Sequence, residues 1–527
     1  MKKRLYALIL IFAMLMSIIS GTLTSCDDGE TPSGGSGSET GGEADGECPG
    51  NKGGHTDEDA NGFCDACANS VVVIVNFYAI NDLHGKFNDA DNNPGVDELT
   101  TYLKTAYKTD DHAVILSSGD MWQGGAESNL TKGMIVTEWM NDLDFVSMTL
   151  GNHEYDWGEE YIVKNKEIAE FPFLAINVYD KDTNERVDYC SASVMVERGG
   201  IKIGVIGAMG DCYSSISGEM SQGIYFKVGD ELTNLVRAEA EKLRAEGAEY
   251  IVYSIHDGYN KSISGTDYLS GNHISSYYDI ALSDGVVDLV FEGHTHQDYT
   301  FYDRNGVYHL QNGGDNEGIS HAEIAINYVT DVSTVKIAEF VSADRYKSLA
   351  DDAIVNALLE KYAEIIAAAN ENLGYNSAYR NSSYLKQLIA ELYLDAGLER
   401  WGDEYDIVLG GGFISARSPY NLYTGNVYYS ELMSIFPFDN QLVLCSISGK
   451  YLKSRFINTS NSDYYIALSG YGEDIRSSIK DNEIYYIITD TYCSSYAPNR
   501  LTEVARFDAG VFARDLLAEY IKNGGLE

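Results

Sequence analysis

Five apolar segments of the sequence are each followed, within a few positions, by acidic, amide or imidazole side chains. The segments cover residues 71–80, 113–117, 145–150, 250–255 and 287–291. The side chains that follow them are, in chain order, Asp82, His84, Asp120, Asn152, His153, His256, His294 and His296. Ligands of α/β proteins collect outside the carboxyl ends of the strands, so we expect the five loops to meet at one rim.

These side chains have the chemistry of a transition-metal site. Imidazole, carboxylate and amide ligands together favour Zn, Mn, Fe or Co over the all-oxygen sites of Ca²⁺ or Mg²⁺. Asp82 and His84 are two residues apart and can reach one ion from a single turn, as can His294 and His296. The two oxygens of Asp120 can bridge two ions. Two such ions, about 4 Å apart, can clamp a phosphoryl group and lower the pKa of a bridging water toward neutrality.

Each loop by itself has an ordinary structural explanation. A Gly-Asp turn after a strand is typical of a helix N-cap, and a lone histidine is typical of a structural residue. The prediction therefore depends on the position that all five loops share. The histidines without this context are predicted to be structural: His112, His273, His309 and His321.

The elements that must position these residues alternate along the first part of the chain. Continuous apolar segments are typical of strands covered on both faces, as in an α/β layered domain. Residues 231–246 have helical spacing, and residues 348–372 predict one long amphipathic helix that connects two domains. The last helix is expected to have Asp508 as its N-cap. All ten histidines precede residue 322, so a histidine metal site must belong to the first domain.

Composition and charge narrow the function classes. The 527 residues are 44% apolar, which excludes a chain that is disordered throughout. The length predicts two domains together with additional segments. The chain has 37 Lys and Arg against 80 Asp and Glu, a net charge of −43. This charge argues against a non-specific binder of nucleic-acid polymers. A phosphate-bearing substrate needs a locally positive site, which two metal ions would supply.

The amino terminus has the pattern of an export signal. Residues 1–25 contain three basic residues, an apolar run and small residues that lead to Cys26. Leu23-Thr24-Ser25-Cys26 resembles a bacterial lipobox. This resemblance implies cleavage before Cys26, lipidation of its thiol and attachment to the outer face of the cytoplasmic membrane. The alternative is an ordinary signal peptide with a chance cysteine. Residues 26–47 are rich in Gly, Ser, Glu and Asp and predict a flexible tether.

Residues 48–69 form a small module rich in potential ligands. Cys48, His55, Cys64 and Cys67 could hold one Zn²⁺. The stretch 57–62 also has the pattern of half a calcium loop, although Ala68 stands where a bidentate acid is expected. A Cys48–Cys64 disulfide and an inert spacer remain as alternatives. The other cysteines of the body of the chain are expected to be buried thiols whose pairing the sequence does not reveal: Cys190, Cys212, Cys445 and Cys493.

The loops of the first domain carry a set of motifs in a fixed order. The motifs are Asp82-Leu-His84, Gly119-Asp120, Gly151-Asn152-His153-Glu154, His256 and Gly293-His294-Thr295-His296. They resemble the calcineurin-like metallophosphoesterase signature, and the two-domain length resembles the bacterial 5′-nucleotidase, UDP-sugar hydrolase and 2′,3′-cyclic phosphodiesterase family. The resemblance implies a four-layer αββα sandwich at 71–342, a linker helix at 343–374 and a smaller α/β 5′-nucleotidase domain at 375–527.

The resemblance also implies the roles of the residues. One ion would be held by Asp82, His84, Asp120 and His296, and the other by Asp120, Asn152, His256 and His294. His153 and Asp156 resemble the family's His-Asp pair, whose histidine faces the substrate phosphate. The implied reaction is nucleotide hydrolysis through attack of a metal-bound hydroxide on phosphorus, with no obligatory protein partner.

The second domain carries the resemblance less completely. The segment 436–440 is similar to one whose phenylalanine helps to sandwich the nucleobase, so Phe438, Asn440 and Tyr492 are expected to bind substrate. The usual Asn and Arg of the family's glycine loop are replaced here by Leu409 and Ile414. Candidates for the missing guanidinium are Arg417 and Arg380. The usual ribose-binding acid is also absent from residues 492–498.

The departures leave the substrate open, and a second hypothesis comes from outside the enzymes. The enzyme could act on 2′,3′-cyclic nucleotides or on UDP-sugars rather than on nucleoside monophosphates. A solute-binding lipoprotein of a transporter is the alternative outside the enzymes, because a tethered two-domain α/β protein is a common binding architecture. That alternative gives no reason for His294 and His296.

Overall fold

The structure is a computed structural model. It describes residues 55–65, 70–87, 94–109, 112–258, 286–303, 305–414, 416–417, 421–469, 478–496, 499–508 and 511–527. The predictions for the signal peptide, the tether, Cys26, Cys48, Cys67 and His273 lie outside these residues. Within them, no helix combines the length and the apolar character that crossing a bilayer requires.

Two six-stranded sheets form the amino-terminal half of the described chain. Their strands, together with a two-stranded ribbon, are β1 (Val72–Ile80), β2 (Ala113–Ser117), β3 (Ser147–Thr149), β4 (Phe173–Leu174), β5 (Val178–Asp180), β6 (Ser193–Arg198), β7 (Ile201–Met209), β8 (Ile224–Phe226), β9 (Tyr250–His256), β10 (Leu289–Phe291), β11 (Tyr299–Tyr302), β12 (Tyr308–Gln311), β13 (Gly318–Asn327) and β14 (Val332–Ser342). One sheet has the order β14-β13-β1-β2-β3-β4 and the other β11-β12-β10-β9-β7-β6, while β5 pairs with β8.

The two sheets pack face to face, because their strands are apolar on both sides. Phe77 of β1 lies in the core between the sheets, where its ring centroid is 6.4 Å from Phe291 and 5.8 Å from Tyr250. The neighbouring Tyr78 and Ile80 point the other way, into a core shared with helices. Burying one such large side chain stabilises the fold by about 2–3 kcal/mol.

Helices cover the outer face of each sheet. The helices of this half are α1 (Val96–Thr109), α2 (Ala126–Thr131), α3 (Met134–Asp142), α4 (Glu159–Ile168) and α5 (Asp230–Ala245). The α5 helix, predicted at 231–246, buries Leu232, Val236 and Leu243 against the second sheet. Helix, sheet, sheet and helix therefore stack in the predicted four layers, which confirms the α/β class.

The predicted single helix at 348–372 is wrong. The segment contains α6 (Ala353–Lys361), α7 (Ala363–Ile366) and a 3₁₀ turn at Ala367–Asn370. The helix is interrupted at Tyr362, whose backbone has φ −95° and ψ 7°. The Tyr362 hydroxyl donates a 2.8 Å hydrogen bond to Glu138, and its ring packs in the core beside α3. Packing against the first domain therefore overrides the continuous helical pattern.

The carboxyl-terminal half has its own sheet. Its strands are β15 (Asn372–Asn376), β16 (Ile407–Phe413), β17 (Gly425–Tyr428), β18 (Leu442–Ser448), β19 (Tyr464–Leu468), β20 (Ile484–Asp490) and β21 (Thr502–Arg506). Its helices are α8 (Ser382–Trp401), α9 (Tyr429–Ile435), α10 (Gly449–Leu452), α11 (Thr491–Ser495) and α12 (Ala513–Lys522). The sheet has the order β19-β16-β20-β18-β21, with an apolar core on each face, and β15 pairs with β17.

The predicted start of the last helix at Asp508 is also wrong. The α12 helix begins after Phe512, whose backbone N–H donates to the Asp515 carboxylate at 3.0 Å. Asp508 instead lies within 3.3 Å of the Arg400 guanidinium.

Part of the small module before β1 is described. The carboxylates of Asp57, Asp59 and Asp65 lie within 4.8 Å of one another, so Asp65 supplies an acid that the sequence pattern lacked at Ala68. Asp57 accepts hydrogen bonds from the backbone of Asn61 and from the Asn327 side chain of β13. Cys64 is buried. The zinc, calcium and disulfide alternatives for this module stay predictions.

Candidate metal centre and active site

The predicted ligand loops lie at the carboxyl ends of neighbouring strands. Asp82 and His84 follow β1, Asp120 follows β2, Asn152 follows β3, His256 ends β9, and His294 and His296 follow β10. Five of these residues have left-handed backbones, which is uncommon for side chains other than glycine: Asp82, His84, Asp120, His294 and His296. Such a conformation costs about 1 kcal/mol or more per residue. This clustering of backbone strain is typical of functional sites.

Two glycines allow the ligand loops to approach one another. Gly119 has φ +95°, and a Cβ there would lie 2.6 Å from Nδ1 of His256. A Cβ on Gly151 would lie 2.3 Å from Oδ1 of Asp120. Any larger residue at either position would displace a predicted ligand, which explains why both motifs begin with glycine.

The first predicted ligand set lies around Asp82. Nε2 of His84 is 3.0 Å from Nε2 of His296, and Oδ1 of Asp82 is 3.3 Å from the same His296 nitrogen. The other oxygen of Asp82 accepts hydrogen bonds from Asn81 and from the backbone of His294. Nδ1 of His84 lies 2.8 Å from the Gln123 carbonyl oxygen, which leaves Nε2 to face the centre.

The second predicted set lies around Asp120. Nε2 of His256 is 3.1 Å from Oδ2 of Asp120, and its Nδ1 lies 2.7 Å from the Ser118 carbonyl oxygen. Ligand atoms of Asp82, Asp120 and His256 lie within 4.8 Å of one another, so Asp120 stands between the two sets as a bridging ligand must. The His294 ring centroid is 5.5 Å from that of His256.

Several buried atoms of these residues fit bound cations. Oδ1 of Asp82, Oδ1 of Asn152 and Nε2 of His256 are buried, and none of them makes a hydrogen bond of good geometry, although the first and the last lie 3.3 and 3.1 Å from atoms of other predicted ligands. An unsatisfied buried polar atom costs about 1–3 kcal/mol, so three in one place call for a ligand. All three are lone-pair donors of the kind that transition metals bind. The residues present therefore fit the two ions that the sequence predicts.

The electrostatics of the centre keep its carboxylates ionised. Burial by itself would raise the pKa of Asp120, but the neighbouring His256 and His153 outweigh burial and hold it well below its usual value. Burial, together with the charge of Arg417, lowers the pKa of His84 well below its usual value. His84 is therefore neutral, as a metal-binding imidazole must be.

Glu154 holds two of the ligand loops together. Its buried carboxylate accepts hydrogen bonds from the backbone N–H groups of Asp120 at 2.9 Å, Met121 at 2.8 Å and Gly151 at 2.7 Å. Burial and the negative charge of Asp120 raise the pKa of Glu154 to about 7. No role was predicted for Glu154 from the sequence, although its place directly after His153 in the motif was a signal.

His153 and Asp156 form the predicted pair. Nδ1 of His153 lies 2.7 Å from Oδ2 of Asp156, and Nε2 lies 4.0 Å from Oδ2 of Asp120. Both residues lie on or beside the 3₁₀ turn at Asn152–Tyr155. The carboxylate of Asp156 fixes the imidazole so that its free nitrogen points toward the predicted ligands.

A cavity of about 230 Å³ joins the centre to the second half of the chain. Asn152, His153 and His294 line it from the first half, and Phe438 and Tyr492 line it from the second. Asn440 and Asp156 also belong to its wall. Phe413, which the sequence analysis did not select, lines the cavity with its ring centroid 5.7 Å from that of Tyr492. The cavity thus combines aromatic rings on one side with polar and charged side chains on the other, an arrangement that suits a small ligand with an apolar and a polar part.

A second cavity of about 360 Å³ lies beside His296 and shares the walls of His153 and Phe438. Arg417 lines it and contacts the first ligand set, with its Nη1 and Nη2 atoms 3.0 and 2.7 Å from the ring nitrogens of His84. Lys386, which the sequence analysis missed, is a second cation of this wall.

Arg380 has a different position. Its guanidinium lies 4.6 Å from the Tyr384 ring centroid, and its main chain pairs with Leu422. It is not among the described residues that line either cavity. Of the two guanidinium candidates, the structure brings only Arg417 to the centre.

The predicted structural histidines that are described lie away from the centre. Nδ1 of His112 is 3.1 Å from the Ile74 carbonyl oxygen, and Nε2 of His321 is 2.9 Å from Asn76. His309 is buried, with Nδ1 2.6 Å from Glu292.

Cys212 is buried nearer the centre, where its thiol lies 2.9 Å from the His256 carbonyl oxygen.

The sequence of the first half of the chain matches a known protein family. Residues 75–298, which contain every predicted metal ligand, match the family of calcineurin-like phosphoesterases. The chain therefore contains a calcineurin-like phosphoesterase domain. The fold of the chain matches a 5′-nucleotidase precursor from Thermus thermophilus with a TM-score of 0.64, over 86% of this chain and 96% of that one, at 16% identity. This likeness shows a shared two-domain fold.

Two curated relatives resemble the chain in sequence. The endonuclease YhcR of Bacillus subtilis is 26% identical over 423 residues, which are 73% of this chain and 33% of that protein. A 5′-nucleotidase of Vibrio cholerae is 32% identical over 190 residues, which are 35% of this chain and 32% of that protein. The chain thus spans about a third of the length of these relatives.

Proposed function

We propose that this protein is a metal-dependent hydrolase of nucleotide phosphoesters, of the 5′-nucleotidase type. The observation that carries the proposal is the first cavity, in which the predicted metal ligands Asn152 and His294 share one wall with the aromatic rings of Phe438 and Tyr492. A phosphate at the ligand end and a nucleobase between the rings would occupy it together. The 5′-nucleotidase of Vibrio cholerae supports the same substrate class.

The chemistry divides between the ions and the side chains. Two bound divalent transition-metal ions would supply positive charge for the phosphoryl oxygens and lower the pKa of an attacking water. His153 presents Nε2 toward the phosphate, where a cationic imidazole stabilises developing charge or protonates the leaving oxygen. Asp156, 2.7 Å from Nδ1, keeps the proton on that nitrogen and fixes the ring.

Phe438 and Tyr492 would bind the base by stacking. Stacking of a base on an aromatic side chain contributes about 1–3 kcal/mol and tolerates every base. Phe438 is also close to the chemistry, because its ring centroid lies 5.8 Å from that of His153. A base stacked on Phe438 would therefore place the phosphate of the same nucleotide close to His153.

Arg417 would bind the substrate phosphate beside the first ion. Its guanidinium already contacts His84 and donates to Oε1 of Gln123 at 2.7 Å. A planar guanidinium binds phosphate through two parallel hydrogen bonds. Arg417 would thus replace the arginine of the family's glycine loop, whose position is taken in this chain by Ile414.

The proposal is tested with a substrate panel. Purified protein loaded with Mn²⁺ or Zn²⁺ is assayed for phosphate release from AMP, UDP-glucose, 2′,3′-cAMP and bis(p-nitrophenyl) phosphate. We expect the highest kcat/KM for AMP and loss of activity in Asp120→Asn and His153→Ala proteins that remain folded. Preference for UDP-glucose or 2′,3′-cAMP would favour the alternative substrates. Inactivity with every metal and substrate would favour the solute-binding reading.

We also propose that the protein is exported and lipid-anchored at Cys26. The proposal rests on the basic, apolar and small-residue pattern of residues 1–26. Metabolic labelling with a fatty acid is expected to mark the wild type and not a Cys26→Ser variant. Release of the wild type without label would contradict the anchor and support an ordinary signal peptide.

A further inference from the structure

Asn81 and Asn312 form a buried amide pair that joins the two sheets beside the predicted metal centre. Asn81 follows β1 in one sheet, and Asn312 follows β12 in the other. The backbone N–H of Asn81 donates to Oδ1 of Asn312 at 3.2 Å, and Nδ2 of Asn312 donates to the Asn81 carbonyl oxygen at 3.1 Å. The same two contacts run in the opposite direction. The Asn312 N–H donates to Oδ1 of Asn81 at 3.1 Å, and Nδ2 of Asn81 donates to the Asn312 carbonyl oxygen at 3.0 Å.

This amide pair fixes the orientation of the Asn81 side chain. Its Oδ1 meets the N–H of Asn312 and its Nδ2 meets the carbonyl oxygen, so rotating the amide by half a turn would break both bonds. In the fixed orientation, Nδ2 also donates to Oδ2 of Asp82 at 2.6 Å. The backbone N–H of His294 donates to the same oxygen at 2.8 Å. Oδ2 of Asp82 is therefore held by two donors, and Oδ1 is left for a ligand.

We propose that Asn81 is a positioning residue for the first predicted ion and that Asn312 holds it in its orientation. This inference rests on the two-ion centre of the proposed function and deepens it. The Asp82 carboxylate cannot rotate without losing both donors to Oδ2. Its Oδ1 therefore stays 3.3 Å from Nε2 of His296 and 3.9 Å from Nε2 of His84. A ligand whose orientation is fixed by hydrogen bonds binds its metal more tightly.

The second predicted ion depends on other supports. Asp120 is held by the Glu154 carboxylate through its backbone N–H, and Nδ1 of His256 lies 2.7 Å from the Ser118 carbonyl oxygen. Loss of the amide pair should therefore weaken the first ion and leave the second ion bound. A purely structural role makes a different prediction, because a general loosening of the rim would weaken both ions by the same factor.

The experiment compares the wild type with Asn81→Ala, Asn312→Ala and the matched control Asn165→Ala. Asn165 is also a buried amide that joins two elements, since it accepts from Thr137 of α3 at 2.7 Å and donates to the Lys132 carbonyl oxygen at 2.8 Å. Metal-free protein is titrated with Mn²⁺ and followed by electron paramagnetic resonance, which distinguishes a spin-coupled pair of ions from a single ion. Circular dichroism checks the fold of each protein before the metal is added.

The variants should differ in the concentration of Mn²⁺ at which the pair forms. Asn81→Ala should still bind one ion, but it should need about 10–100-fold more free Mn²⁺ than the wild type to form the coupled pair. Asn312→Ala should shift the titration in the same direction by a smaller factor, because the Asn81 side chain keeps its main-chain partners. Asn165→Ala should match the wild type. If Asn81→Ala does not fold, Asn81→Ser takes its place.

Two outcomes overturn the inference while the proposed function stands. The first is a coupled pair that forms at the same Mn²⁺ concentration in Asn81→Ala as in the wild type. The second is an equal weakening of both ions in Asn81→Ala. A wild type that never forms the pair would contradict the two-ion centre of the proposed function instead. The affinity for a single ion then decides the inference, and equal values for the wild type and Asn81→Ala would overturn it.

Discussion

The carboxylate of Glu154 accepts a hydrogen bond from the backbone N–H of Asp120 at a distance of 2.9 Å. Through its other contacts it also holds Gly151 and Met121, so one buried acid fixes the loops that carry two predicted ligands. Asp120 has a left-handed backbone that its own sequence does not favour. The position of the bridging carboxylate therefore depends on a residue that is not itself a predicted ligand.

Removing this support should weaken metal binding. We expect Glu154→Gln, which turns an acceptor into a donor facing backbone N–H groups, to lower metal affinity about 10–100-fold. Glu154→Ala should have a larger effect, because it leaves those N–H groups buried without acceptors. Metal titration followed by elemental analysis measures the affinity. The control is Glu160→Gln, which changes an exposed acid on the surface of helix α4. Equal metal content in all of these proteins would contradict the prediction.

His153 and Asp156 should affect turnover without affecting the ions. We expect His153→Ala to lower kcat about 10²–10⁴-fold, because it removes the group that stabilises or protonates the phosphoester oxygens. Asp156→Asn should have a smaller effect of the same kind, since the imidazole remains but its orientation is less fixed. Metal content should equal that of the wild type. His112→Ala, which removes a histidine far from the centre, is the control; a loss of metal in His153→Ala would assign it to ligation instead.

Asp490 should make stability depend on pH. Burial raises the pKa of this carboxyl to about 6, although Cys493 N–H and the Tyr393 hydroxyl both donate to it. The unfolded chain ionises near the ordinary pKa of 3.8, so the wild type loses stability as pH rises from about 4 to about 6. Asp490→Asn lacks this loss.

The free energy of unfolding of Asp490→Asn should therefore rise relative to that of the wild type between pH 4 and pH 6, by up to about 3 kcal/mol above pH 6. Below pH 4 the pH should no longer change the difference between the two proteins. Urea unfolding at several pH values measures the difference. The exposed Asp395→Asn is the control and should follow the wild type at every pH. A gain that is the same at pH 4 and pH 8 would show that ionisation is not its cause.

The Asp439 carboxylate should matter more to stability than Lys132, which is one of the two cations that bind it. Arg514 is buried, and it donates to the carboxylate and to the Phe438 carbonyl oxygen, whereas Lys132 reaches the same carboxylate from a partly exposed position. We expect Asp439→Asn to destabilise the fold by about 3–5 kcal/mol, because it leaves a buried guanidinium without its partner. Lys132→Met should cost about 1 kcal/mol or less. Equal effects in urea unfolding would contradict this ranking.

The strands that precede the predicted ligand loops were located well from the sequence, because each strand follows a local signal. The run before Asp120 was placed at 113–117, the bounds that the structure gives to β2, since a continuous apolar run is read from neighbouring residues. The helix at 231–246 agrees with α5 within one residue at each end for the same reason.

Features that depend on distant residues were not predicted. The interruption at Tyr362 comes from Glu138, which lies 224 positions away, and no local pattern contains that contact. The contact of Arg506 with Glu219 spans 287 positions. Hydrophobic spacing reports which face of an element is buried, but it does not report what that face meets.

The loops that hold the predicted ions come from residue 82 to residue 296, on strands of both sheets. A chain that ends before residue 296 therefore lacks part of the predicted ligand set, and we expect the predicted ions to bind only once both sheets have closed on each other. A protease that cuts inside this span and frees one sheet would release the ions with it. Resistance to proteolysis should in turn report how fully a preparation is loaded with metal.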